Sequence, residues 1–319
     1  MKVLVIGGTG HIGSYLVPRL VNAGHEVSVV ARTPTPQHTD ARLAWGQVQW
    51  IQADRRAEEK AGVWAERMTG LEAEVVIDLI CYTPEQSAIM VKAFEGRVQH
   101  FLHCGTIWAY GAPRRRPYQE SDPRCPITDY GINKAAVEAD LLNRYRTTGF
   151  PVTIIHPGHI SGRKWLPVDP QGTRNGVGVY EKLARGEVVY LPQYGHETLH
   201  HVHADDLAQL FEAAMIRRQV CLGESFSGVA PWALSLVGCC EFVAGLFGRR
   251  ANIVLATYEE METILGAEPW ATTRDHLLHS PCCSIEKAQR LLGYAPRYTT
   301  EQIFTESIEY LLETGALVI

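Results

Sequence analysis

The chain lacks an excess of charge of either sign. Its 319 residues carry a formal net charge of only −5. A global electrostatic grip on nucleic acid or on an anionic membrane is therefore not expected. It also lacks any apolar run near the roughly 18 to 20 residues that span a bilayer. The N-terminal apolar run is a few residues long and leads straight into glycines, which is not a signal-peptide layout. None of the eight cysteines stands in a C-x-x-C pattern, and two pairs are adjacent in sequence (Cys239–Cys240 and Cys282–Cys283). That excludes a zinc ribbon and a disulfide framework, and it fits a reducing cytoplasm. Cys81 and Cys104 lie in apolar runs and read as small buried hydrophobes. There is no internal repeat, low-complexity tract or clean linker.

What is present is alternation. Short apolar runs at Lys2–Ile6, Val27–Ala31, Val48–Gln52, Val75–Ile80, His100–His103 and Val152–His156 alternate with helical patterns. The runs are mostly continuous, as expected of strands covered on both faces. Helices are expected over His11–Ala23, Pro84–Phe94 and Gly131–Thr147. This is the signature of βαβ units, so the fold class is α/β, a doubly wound Rossmann-type parallel sheet. After residue 160 the texture changes to a long loop, Gly162–Pro170, and then to helices near 177–185, 204–215, 284–292 and 300–313. We expect a nucleotide-binding domain over 1–160. Residues 161–319 form mainly a smaller substrate-binding region, with about 199–228 returning to the sheet.

Gly7-Gly8-Thr9-Gly10-His11-Ile12-Gly13 follows the first strand and opens the first helix. In that context Gly7 permits the tight turn. Gly10 lets backbone approach a pyrophosphate, and Gly13 lets the helix pack on the strand. The helix N-terminus offers N–H groups to the anion. The second strand ends in Ala31-Arg32 where an acidic residue would read a ribose 2′-hydroxyl. The planar fork of Arg32 suits a 2′-phosphate, so NADP is favoured over NAD. An Arg32 that only stacks on adenine leaves NAD open. Asp54 is placed to touch the adenine edge, or else to cap a loop.

Tyr130 and Lys134 stand at i and i+4, on one face of a helix. A free tyrosine, with a pKa of about 10, is a poor base at neutral pH. A nearby ammonium favours its phenolate. Such a pair moves the proton of a carbinol while hydride moves to or from a nicotinamide.

With these motifs the sequence resembles the extended short-chain dehydrogenase/reductase family, the NAD(P)-dependent epimerase/dehydratases. The resemblance runs over nearly the whole chain. It includes Gly7–Gly13, Cys104–Gly111, Tyr130–Lys134, His156–Gly162, Val202–Ala208 and the ending Leu292–Pro296. It implies that Thr106 holds the substrate oxygen and that Lys134 also bonds the nicotinamide ribose. It implies that Pro157, His159 and Ile160 pass beside the nicotinamide, with Thr9, His11, Ile12 and Leu79 also at the cofactor. Tyr82, Trp108, Arg163, Trp165 and His203 are the expected substrate-side residues, and a homodimer is expected from the family alone. Thr106 has a plainer reading as a strand-end threonine, and Trp165 as a lid aromatic.

The sequence also departs from the pattern. Asp78–Thr106 is short, and no helix asparagine backs the catalytic lysine; Gln86 is the residue nearest to that role. Leu199 stands where sugar-nucleotide members commonly keep an arginine. Arg163, Lys164 or the run Arg114–Arg116 would have to replace that arginine. The cluster His196, His200, His201 and His203 leads from loop to strand, so no metal is expected. The expected function is Tyr/Lys/Thr-assisted hydride transfer at a secondary alcohol or ketone of a sugar or sugar-nucleotide. One alternative is an NADP-dependent reductase of a non-nucleotide carbonyl compound. Another is a non-catalytic cofactor-sensing or RNA-binding member.

Overall fold

The computed structural model describes residues 1–36, 42–173 and 176–319. Six strands come from the first half: β1 (Lys2–Ile6), β2 (Glu26–Ala31), β3 (Gln49–Gln52), β4 (Val75–Asp78), β5 (His100–Cys104) and β6 (Val152–Pro157). Shorter strands follow: β7 (His159–Ser161), β8 (Val188–Pro192), β9 (Thr198–Leu199) and β10 (His201–His203). Then come β11 (Glu224–Gly228), β12 (Leu234–Ser235) and β13 (Asn252–Ala256). The main sheet has seven strands in the order β11-β6-β5-β4-β1-β2-β3, and every pairing is parallel. The order reverses between β1 and β4. Open α/β sheets bind ligands at such a point.

The helices of the first half are α1 (His11–Asn22), α2 (Arg42–Trp45), α3 (Arg55–Ala61), α4 (Trp64–Thr69), α5 (Pro84–Phe94) and α6 (Asp129–Thr148). Those of the second half are α7 (Gly178–Arg185), α8 (Ala204–Ile216), α9 (Leu236–Leu246), α10 (Tyr258–Leu265), α11 (Ala267–His279), α12 (Glu286–Leu292) and α13 (Thr300–Glu313). No helix of the described residues is long and apolar enough to cross a membrane.

The central strands are buried on both faces, which is why their sequences are continuously apolar. One core lies on the α1/α8 face, around Leu16, Val29, Ile77 and Phe211. A second lies on the α5/α6 face, around Met90, Phe101, Val137 and Ile154. A third fills the C-terminal region, around Tyr180, Leu191, Cys240 and Phe304. The chain crosses back after residue 199. Helix α8 packs on α1 in the first core, and β11 becomes the edge strand beside β6. All eight cysteines are free, with Cys81 and Cys104 buried.

Candidate active site

The turn after β1 is shaped by two tight contacts. Gly7 has φ +81, and a Cβ there would meet Ile80 at 2.6 Å. A Cβ on Gly13 would lie 2.1 Å from the carbonyl oxygen of Gly8, so only glycine lets α1 sit this close to the turn. Gly10 precedes α1, and no side chain caps the helix. The first-turn N–H groups thus keep their capacity for an anion. Gly7, Thr9 and Gly10 line a cleft of about 700 Å³ that runs to Arg32, Asp54 and Arg56 and takes in Ile80, Tyr82 and Gln86.

Two arginines, Arg32 and Arg56, are exposed at the far end of this cleft. Among the described residues neither has an ion-pair partner. Arg56 was not singled out in the sequence; it follows Asp54 by two and reaches the cleft because α3 starts there. Asp54 is the N-cap of α3, its carboxylate accepting from the Ala57 N–H at 3.1 Å. Leu79 packs into the core, and its neighbour Ile80 faces the cleft instead. Ile12 is also a core residue. His11 turns away from the cleft: its Nε2 lies 3.2 Å from the Ser161 carbonyl, and its ring stacks on Trp165 at 5.2 Å.

Beyond Tyr82, on the wall of this cleft, stand Thr106, Tyr130 and Lys134. Thr106 follows β5 and caps a short turn, its hydroxyl accepting from the Trp108 N–H at 3.2 Å. Tyr130 lies in the first turn of α6, which Thr128 caps, and Lys134 lies one turn on. The Lys134 ammonium donates to the carbonyls of Cys81 and Cys104, each at 2.6 Å. It lies 5.0 Å from the Tyr82 ring and 6.0 Å from the Tyr130 ring. Its enclosure lowers its pKa; Cys104, Cys81 and Asp78 oppose that shift. Burial pushes the Tyr130 phenol up, and proximity to Cys104 adds to this, while a hydrogen bond to Thr106 pulls it down. Tyr82, expected on the substrate side, lines the cleft that runs from the glycine turn.

The rings beyond Tyr130 come from distant parts of the chain. Trp108 lies edge-on to Tyr130 at 6.0 Å and stacks on His279 at 4.1 Å. His276 meets Trp108 at 4.9 Å and His159 at 5.2 Å. His159 and His201 are paired across β7 and β10. The sequence reading missed His276 and His279. Helix α11, which carries them, has no clean apolar stripe: its buried positions are Trp270, Thr273, Leu277 and His279. Pro157 ends β6 and Ile160 is in β7.

Three expected substrate residues are committed elsewhere. Arg163 pairs with Glu313 and lies 5.1 Å from the Tyr310 ring, so α13 holds it. His203 caps α8, bonds Glu306 at 2.7 Å and stacks on Tyr298 at 3.8 Å. Its role here is structural, and that corrects the expectation. Trp165, 38% exposed, covers His11. Of the other clustered histidines, His196 is exposed and stacks on Tyr194, whereas His200 and His201 face backbone. His200 bonds the Ala230 carbonyl and accepts from the Cys283 N–H, while His201 bonds the Val168 carbonyl. Of the basic run, Arg115 pairs with Asp122 and Arg116 bonds Ser280.

With this geometry in hand, the comparisons with known proteins decide the family. Residues 3–222 match the model of the NAD dependent epimerase/dehydratase family. The chain belongs to that family and is an enzyme of its kind. It is 26% identical to a UDP-glucose 4-epimerase of Lacticaseibacillus casei, over 99% of this chain and 96% of that one. It is 23% identical to a chloroplast stem-loop binding protein of Arabidopsis thaliana, over 98% and 79% of the two chains. It spans only 55% and 53% of the length of two other curated relatives. The solved UDP-glucose 4-epimerase of Thermotoga maritima, with UDP-glucose, has the same fold. Its TM-score is 0.73 at 22% identity, over 98% of this chain and 99% of that one.

Proposed function

We propose that the protein transfers hydride between NADP(H) and a secondary alcohol or ketone carbon of a sugar or sugar-nucleotide. The observation that carries this reading is the convergence of Thr106, Tyr130 and Lys134 at the C-terminal ends of β4 and β5. Lys134 lies 5.0 Å from the ring of Tyr82, which lines the cleft that also holds Arg32 and Arg56. The residues fit a dinucleotide. A glycine turn at an uncapped helix N-terminus lines the cleft and can take the pyrophosphate, and the two exposed guanidiniums can take a 2′-phosphate. A nicotinamide bound at the Lys134 end supplies and accepts the hydride.

The side chains divide the remaining work. The Thr106 hydroxyl orients the substrate oxygen. Tyr130 gives that oxygen a proton as a ketone is reduced, and takes it back in the reverse direction. The Lys134 ammonium stabilises the phenolate left behind. Trp108, His159 and His276 offer rings and polar nitrogens to the hydroxyl-bearing remainder of the substrate. The relatives that are UDP-glucose 4-epimerases support a sugar-nucleotide.

A second reading, reduction of a non-nucleotide carbonyl compound, is favoured by one feature. Arg32 and Arg56 lean the cleft toward NADP(H), the cofactor that reductases exchange between turnovers. A homodimer and a cytoplasmic location belong to the same proposal.

The test is fluorescence titration with NADP(H) and NAD(H) in parallel, on wild type and Arg32→Ala. Tighter NADP(H) binding that the substitution erases supports the reading. Preference for NAD(H), or an NAD already bound on purification, moves the NAD-retaining epimerase ahead. Binding of neither, with an RNA stem-loop bound instead, would replace the enzyme by a binder of the same fold.

A further inference from the structure

We infer that Gln86 is a positioning residue for Lys134, acting through the single peptide group between Cys81 and Tyr82. This inference rests on the proposed role of Lys134 and adds to it the support that the lysine needs.

Lys134 has two carbonyl acceptors of unequal security. The Cys104 carbonyl ends β5, and the next residue, Gly105, is tied into the sheet by its N–H bond to Ile155 at 2.7 Å. The Cys81 carbonyl belongs to the loop between β4 and α5, outside any strand. A peptide group is planar, so fixing its N–H fixes the direction of its C=O. The N–H in question is that of Tyr82, and it donates to Oε1 of Gln86 at 2.8 Å. The same peptide therefore receives Lys134 on one edge and is held by Gln86 on the other.

Gln86 is itself braced. Its Nε2 donates to Glu59 at 2.7 Å, and Glu59 accepts from Arg55 Nε at 2.7 Å. Arg55 donates from Nη1 to both oxygens of Asp78 at 2.9 Å and from Nη2 to the Gln86 carbonyl at 3.2 Å. Asp78, fully buried, also accepts from the Ile80 N–H at 3.1 Å. Arg55, Glu59 and Gln86 thus close a ring of charge-assisted bonds, and Asp78 ties it to the backbone at residue 80. Such bonds are stronger and more directional than neutral ones. Burial opposes the Arg55 charge, but Asp78, Cys81 and Glu59 outweigh it, so the guanidinium stays ionised. No sequence motif marks this network, because it joins residues 23 and 31 positions apart.

The experiment follows the Lys134 side-chain nitrogen by NMR in lysine-labelled full-length protein, assigned by its loss in Lys134→Met. In Gln86→Ala the ammonium loses a fixed acceptor, so its titration falls by about one pH unit. The exchange Glu59→Gln with Gln86→Glu keeps an oxygen for the Tyr82 N–H, an oxygen for Arg55 and a hydrogen bond between the two side chains. It restores the titration. Leu141→Ala, a buried change on the same helix, destabilises the fold and leaves the titration where it was. An unchanged titration in Gln86→Ala, an equal shift in Leu141→Ala, or no recovery in the exchange overturns the inference. The readout needs no ligand. A protein that shows the shift and binds no dinucleotide overturns the proposed function and leaves the positioning role standing.

Discussion

The two ends of the cleft are built on different plans. The end near Arg32 and Arg56 is open, and its groups come from consecutive pieces of chain: the glycine turn, the end of β2 and the start of α3. The end near Tyr130 is closed in by ring contacts, one stacked and the others edge-on or tilted, from five separate segments, at Trp108, Tyr130, His159, His201 and His276–His279. The first plan suits a ligand common to a whole family. The second can change one segment at a time without disturbing the first. The difference teaches where generality and specificity sit in this molecule, and it gives the predictions their order.

The largest expected effect separates chemistry from binding. Tyr130→Phe removes the proton donor and little volume, so turnover of any accepted substrate falls on the order of a thousandfold. Dinucleotide affinity, measured by fluorescence titration, stays within about twofold, because the phenol is not among the groups that line the cleft with the arginines. Equal loss of affinity would mean that the two ends are not separable.

The next effect is confined to the open end. Arg32→Ala with Arg56→Ala weakens NADP(H) on the order of a hundredfold, from two charge-assisted contacts of about 1.5 kcal/mol or more each. NAD(H) affinity changes little. If either single variant alone carries the whole loss, the pair is not a shared phosphate site.

A third prediction extends the contrast to the bodies that carry the two ends. His100, buried in β5, donates to Thr153 and is held down to about 3; His200 is held down to about 4; burial is the cause of both. Both are neutral in the fold and depressed below the roughly 6.5 of an unfolded chain. Their contribution to stability is present above about pH 6.5 and is lost as the pH falls toward 4, by about 1.4 kcal/mol per unit for each group. Asp169, in the loop before α7, goes the other way. Burial raises it to about 6, against bonds from Thr173 and Gln171. Its contribution is full below the ordinary carboxylate range and is lost as the pH rises through 6. Urea midpoints across this range test both signs. Asp169→Asn gains on wild type above about pH 6 and not below about pH 4; a uniform offset at all pH values would show that its protonation is irrelevant.

The same contrast governs what the sequence discloses. The central strands of the main sheet are legible because burial on both faces forces mainly apolar runs, unlike the edge strand β11, and the glycine turn because its residues are adjacent. The boundaries shift by one or two residues: β4 stops at Asp78, where the charge needed by Arg55 interrupts the apolar run that continues to Ile80. Helices α9 to α11 have no such mark. Arg55 and Arg56 escape notice although they follow Asp54 directly, since only the third dimension gives them a cleft to face. His203 and Arg163 mislead for the opposite reason. Their motif is family-like, but Glu306 and Glu313 on α13, more than a hundred residues away, occupy them.

The smallest expected effect concerns the closed end. His276 is the half-buried member of its ring group, whereas His159, His201 and His279 are buried. Its Nδ1 donates to the Thr272 carbonyl at 3.0 Å, which fixes the ring along α11 and turns its other edge toward Trp108 and His159. A ring so held can orient a substrate without taking part in the proton transfer. His276→Ala therefore raises KM about tenfold, the value of one or two hydrogen bonds to a neutral group, with kcat less affected. His276→Gln, which keeps a polar side chain at the same height, recovers part of the loss. The dinucleotide titration is unchanged in both variants. A fall in kcat equal to that of Tyr130→Phe would place His276 in the chemistry. A fall in dinucleotide affinity would show instead that the closed end reaches into the cofactor cleft, and the division between a general and a specific end would have to be redrawn.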